Sequence, residues 1–124
     1  MIDGFYTIEQ QMLTEKGFQT EVNLNAEHII FKAHFPNNPI MPGVCLLQIT
    51  KELLEQHLHQ KLFAKHIKNL KFLQPISPKT GTLVLFKIDY AYDNEQQVSA
   101  AISIVKGETL VARISSLYVC KSRW

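Results

Sequence analysis

A chain of 124 residues is long enough to bury a core and short enough to be a single domain. Its apolar fraction of 46% and charged fraction of 19% are those of an ordinary globular protein and exclude an intrinsically disordered one. The formal net charge is only +2, with no arginine-rich run or aromatic ladder, so nothing in the composition argues for nucleic acid.

The charge is unevenly spread. Residues 1–63 carry four Lys against seven Asp or Glu, a net −3, whereas residues 64–124 carry nine Lys or Arg against four acids, a net +5. A basic half can steer an acidic partner, although a solvated basic face is the simpler account. The opening MIDGFYTIEQQ lacks a basic n-region and an apolar h-region, and no apolar run approaches a membrane span. The expected compartment is therefore the cytoplasm, and Cys45 and Cys120, each in apolar surroundings, read as buried free thiols.

In chain order, residues 5–13 read as an extended piece. Phe18 to Leu24 alternates apolar and polar residues as a half-buried strand does, and after a polar turn at 25–27 a second strand is expected over Ile29 to Phe35. Pro36, Asn37, Asn38, Pro39 and Pro42 then forbid regular structure. Gly43 opens a long helix expected to run to about Gln60. Its first half, VCLLQI, is apolar nearly all round, which predicts burial at that end; its second half is amphipathic, with Leu53, Leu54 and Leu58 on one side.

After the helix the chain reads as strands. Ile67 to Leu73 is short and stops at the turn-rich QPISPKTG. Leu83–Tyr92, Gln97–Lys106 and Leu110–Cys120 are long β candidates joined by DNEQ and GE, with Ser99 and Ser103 on a solvent-facing side. No repeat or linker divides the chain. Strands, one long buried helix and a strand meander predict an α+β domain over residues 1–124, an antiparallel sheet wrapped around the helix. Such a sheet leaves edges and apolar surface uncovered, so pairing of two chains is expected.

The segment AHFPNNPIMPGVCLL, residues 33–47, resembles the signature of the β-hydroxyacyl-acyl-carrier-protein dehydratases of type II fatty acid synthesis. The signature has a His-Phe pair, a proline turn, a Met-Pro-Gly and the start of a central helix, and the order of elements fits the same family along nearly the whole chain. The resemblance implies a hot-dog fold and elimination of water from a 3-hydroxyacyl thioester to give the trans-2-enoyl product, in fatty-acid, polyene or related lipid synthesis. It implies His34, placed by the sequence reading at the end of a strand, as the catalytic base and the Gly43 amide as the oxyanion donor. Phe35, Pro42 and Val44 would bind the substrate. These roles suit the chemistry: a neutral imidazole is matched to general-base work near pH 7, and a helix N-terminus offers free N–H groups and a positive dipole end. His28, His57, His59 and His66 read as surface or structural residues.

The resemblance also implies that the acyl chain arrives on the phosphopantetheine of acyl carrier protein, with no metal or organic cofactor. The His, Cys and acid spacings show no metal-site pattern. Lys65, Lys68 and Lys71 are candidates for contact with the acidic carrier. Members of the family often carry an N-terminal helix ahead of the first strand, and residues 1–4 leave little room for one.

One residue departs from the pattern. The family carries an acid on the central helix fourteen positions after the histidine, and here that position is Gln48. A carboxamide hydrogen-bonds a hydroxyl or water but does not exchange a proton at useful pH. Three readings follow: Gln48 orients the hydroxyl while His34 works alone; the chain binds thioesters without chemistry; or it pairs with an acid-bearing hot-dog subunit in a heterodimer rather than forming a homodimer or larger oligomer. A hot-dog thioesterase is a further, weaker alternative. Glu52, one turn beyond Gln48, reads as a solvated helix residue too far away for a simple replacement.

Overall fold

The computed structural model describes residues 4–33, 40–77, 82–93 and 95–120. Among the described residues six strands form one antiparallel sheet: β1 (Tyr6–Leu13), β2 (Gly17–Leu24), β3 (Leu62–Phe72), β4 (Leu83–Tyr92), β5 (Val98–Lys106) and β6 (Thr109–Cys120). Their spatial order is β1-β2-β4-β5-β6-β3. Two helices, α1 (Ile29–Ala33) and α2 (Gly43–Leu58), lie between β2 and β3 in the chain. This is the α+β arrangement expected from the sequence.

The alternation of β2 is realised in full, with Phe18, Thr20, Val22 and Leu24 buried and their neighbours half-exposed. Register carries this face across the sheet: Phe18 pairs with Ile88, Ile88 with Ile102, Ile102 with Ile114 and Ile114 with Leu70. The first four of these are buried, as are Phe86, Ile104 and Tyr118 on the same face. Ser99 is exposed and Ser103 half-buried on the other face, as their spacing predicts. Burial of this apolar row against α2 is the main source of stability.

Residues 29–33 correct the sequence reading. A second strand was expected there, and the chain instead turns into α1. The Asn25 Oδ1 accepts the Glu27 N–H at 3.0 Å, and the Asn25 carbonyl accepts the His28 N–H at 3.1 Å. The His28 Nδ1 then accepts the Ile30 N–H at 3.1 Å. These local acceptors capture N–H groups that a strand would have given to a neighbour. Phe31 is buried beneath the turn and stacks on Phe5 at 4.9 Å between ring centroids.

α2 begins at Gly43 as expected and ends two residues early, where His59 adopts a left-handed conformation (φ 55°) and its N–H bonds the Glu55 carbonyl. The Glu55 side chain then accepts the Leu62 N–H at 2.9 Å and sets the start of β3. β3 therefore starts five residues before the expected Ile67. The start of α2 is not buried all round: Cys45, Leu46, Ile49, Leu53 and Leu54 are buried, but Val44 is 69% exposed. A helix laid on one face of a sheet has one stripe covered, whatever its composition. Of the two thiols, Cys45 is buried and Cys120 only half-buried; both are free.

At the helix start, an added Cβ on Gly43 would lie 2.5 Å from the tip of the Phe72 ring. We expect Gly43→Ala to destabilise the fold by about 1 kcal/mol and to couple with Phe72→Ala by about 0.5–3 kcal/mol in a double-mutant cycle read by urea unfolding; additive effects would contradict the contact.

Near the other end of α2, His57 stacks on Phe18 at 4.1 Å and meets Tyr90 edge-on at 5.6 Å. Burial, reinforced by the neighbouring His59, lowers its pKa below the ordinary histidine value. The folded state thus favours neutral His57, a contribution present above the unfolded pKa of about 6.5 and lost as pH falls through the lowered folded value. The urea midpoint should fall on acidification, and less steeply in His57→Phe. An equal fall in both proteins would show that His57 does not contribute.

Candidate active site

The candidate catalytic residues that the structure describes cluster at the N-terminal half of α2. Just ahead of it, the Met41 N–H bonds the Ile76 carbonyl at 2.8 Å, tying the helix entry to the segment after β3. Pro42 stands at the N-cap in an extended conformation (ψ 139°) and supplies no side-chain cap. The first-turn N–H groups, that of Gly43 first, therefore receive no capping side chain, and they carry the positive end of the helix dipole. The Phe72 ring, at the end of β3, lies beside Gly43.

Gln48 is half-buried, five residues and about 7.5 Å along the helix axis from Gly43. Its Nε2 donates to Glu52 Oε2 at 2.8 Å. Glu52 is only 8% exposed, and its Oε1 accepts the Tyr6 hydroxyl at 2.8 Å. Tyr6 is itself buried at the start of β1; burial, then the hydrogen bond to Glu52 and its charge, push the phenol well above its usual range. The hydroxyl is thus held as a donor across the working pH range.

This corrects the reading of Glu52 as a solvated residue. It lies three positions after Ile49 and seven after Cys45, inside the buried stripe of α2. That spacing was the available sign in the sequence, overridden by the general rarity of buried carboxylates. Tyr6 carried no such sign, because its pairing with Glu52 spans 46 residues.

The remaining expected residues are distributed as follows. His34 and Phe35 lie outside the described residues. α1 occupies Ile29–Ala33, where the first part of the expected strand was placed. Pro42 is half-buried and Val44 exposed on the outer side of the helix start. Lys65, Lys68 and Lys71 are exposed on β3, with Lys65 and Lys68 as the extra residues at two register shifts against β6. Among the described residues no group of three or more His, Cys, Asp or Glu is placed to hold a metal ion. No described helix is long and apolar enough to cross a membrane. An open polar cleft among Gln19, Lys87, Ser103, Arg113 and Ser115 lies on the sheet face turned away from α2.

Comparison with known proteins identifies the family and the fold. The family described as ApeI-like, ApeI dehydratase, matches residues 9–111. The 3-hydroxyacyl-acyl-carrier-protein dehydratase FabZ of Fusobacterium nucleatum subsp. nucleatum is 27% identical over 124 residues, covering 96% of this chain and 84% of the relative. Among solved structures, the dehydratase heterocomplex ApeI:P from Xenorhabdus doucetiae aligns with a TM-score of 0.72 at 18% identity, over 94% of this chain and 98% of that one. A Lactococcus lactis protein assigned as a thioesterase aligns with a TM-score of 0.71 at 17% identity, over 100% and 98% of the two chains. At these identities the structural likenesses show the hot-dog fold alone. The match over residues 9–111, which spans α2 from Gly43 through Gln48 to Glu52, goes further: the chain belongs to the ApeI-like dehydratase family.

Proposed function

We propose that the chain eliminates water from a 3-hydroxyacyl thioester carried on acyl carrier protein, giving the trans-2-enoyl thioester in fatty-acid, polyene or related lipid synthesis. The observation that carries this reading is the half-buried Gln48 amide five residues past an uncapped helix N-terminus, in a member of a dehydratase family. His34 takes a proton from the α carbon. The thioester oxygen, on which negative charge develops, accepts the Gly43 N–H. Gln48 holds the β-hydroxyl. Because its carboxamide has no proton to give, the imidazolium of His34 returns the abstracted proton to the departing hydroxide, and the C–O bond breaks to release water. No metal or organic cofactor enters this scheme. Lys65, Lys68 and Lys71 face solvent on an edge strand, where an acidic carrier can reach them. The working compartment in this reading is the cytoplasm.

A second reading is favoured by one feature of the sheet. β3 is an edge, and on the face it shares with buried Tyr118 and Ile114 it exposes Ile67, Leu70 and Phe72 by 41%, 37% and 49%. An uncovered apolar edge of this kind suits a second hot-dog chain. That chain is a second copy or, as in the ApeI:P heterocomplex, a different subunit, one able to supply the carboxylate that Gln48 lacks.

Both readings are tested by incubating the purified chain with 3-hydroxyacyl-acyl carrier protein and following enoyl product. The wild type should form it, and His34→Ala should lower the rate by about 10²–10⁴. An inert wild type that becomes active only on adding an acid-bearing hot-dog subunit would replace the first reading with the second. Activity that survives His34→Ala would remove His34 from the chemistry.

A further inference from the structure

The geometry points to Glu52, held by the Tyr6 hydroxyl, as the positioning residue that fixes which end of the Gln48 carboxamide faces the substrate, an assignment that rests on the reading of Gln48 as the group holding the β-hydroxyl. A glutamate in the apolar stripe of a core helix is costly unless donors surround it. Here each carboxylate oxygen has a donor at 2.8 Å, Tyr6 Oη on Oε1 and Gln48 Nε2 on Oε2. The partner on the first side is fixed because the phenol, buried beside the carboxylate, keeps its proton.

The consequence concerns polarity. The two ends of a carboxamide have the same shape, and its terminal torsion is broad and roughly two-fold, so an isolated glutamine presents either end. A carboxylate has only acceptors to offer, and therefore selects the N–H end. The oxygen of Gln48 and its second N–H are then turned away from Glu52. At a helix position where a carboxylate is usual, the chain thus presents a fixed carbonyl acceptor. Such a group accepts the O–H of a β-hydroxyl, or of a water in the reverse addition, and aims the oxygen lone pairs elsewhere. Glu52 acts through Gln48, and the oriented amide is what the substrate meets.

Two variants and two readouts test this. Glu52→Gln keeps the side-chain shape but no longer dictates the amide's direction, and Tyr6→Phe keeps the ring in the core while removing one donor. In ¹⁵N-resolved spectra, one Gln48 side-chain N–H proton should be shifted downfield and slow to exchange. It should return to the range of exposed side-chain amides in Glu52→Gln, and partway in Tyr6→Phe. With 3-hydroxybutyryl-pantetheine as substrate, kcat should fall about tenfold to a hundredfold in Glu52→Gln, the span for a hydrogen bond to a charged group, with KM changing less. A wild-type Gln48 signal like that of an exposed amide, or one unchanged in Glu52→Gln, would overturn the assignment. So would loss of kcat with an unchanged signal, which would give Glu52 a direct role. A wild type that forms no enoyl product would count against the dehydratase reading, while the amide signal would still decide the alignment.

Discussion

A carboxylate on the buried stripe of the central helix constrains much of what surrounds it. Glu52 is 8% exposed in a stripe that is apolar apart from Thr50, and a buried carboxylate must be met by hydrogen-bond donors. Tyr6 and Gln48 meet it, from the first strand and from the preceding helical turn. One interaction therefore joins the edge of the sheet to the helix and aligns the Gln48 amide. Removing Glu52 leaves two buried or half-buried donors without their acceptor, and removing Tyr6 leaves the charge less supported. The stability of this corner and the geometry of the site are thus the same set of bonds.

The fold serves that corner by holding the helix start still. The row from Phe18 to Ile114 forms the floor on which α2 rests, and the Met41–Ile76 hydrogen bond fixes the chain just before Pro42. Pro42 supplies an extended entry without a capping side chain, so the Gly43 and Val44 N–H groups stay available while that of Cys45 bonds the Pro42 carbonyl at 3.0 Å. Phe72 packs where a Cβ at residue 43 would lie, which gives glycine there a steric reason beside its proposed chemical one.

Much of this was readable in the sequence, because periodicity reports burial on one face. Alternation in FQTEVNL marked β2, the three C-terminal strands were found to within a residue or two, and Gly43 was recognised as the start of the helix. The failures have physical causes. Ile29 to Ala33 has the composition of a strand, but Asn25 and His28 offer local acceptors that wind it into a helix. The length of β3 was missed because all of it after Leu62 is exposed, so no alternation reports it. Glu52 was misread because residue type was weighed above position in the stripe, and its partner Tyr6 is distant in the chain. The motif named the family, whereas the bonds from Tyr6 and Gln48 to Glu52 were visible only in three dimensions.

The orientation of the Gln48 amide is a question about hydrogen positions, and neutron diffraction from a deuterated crystal reads them directly. Deuterons on the Gln48 nitrogen pointing at Glu52 Oε2, and on the Tyr6 oxygen pointing at Glu52 Oε1, are the expected result. A deuteron on Glu52 pointing at a Gln48 oxygen would contradict it, since the glutamate would then be the donor and the amide would present its nitrogen to the substrate.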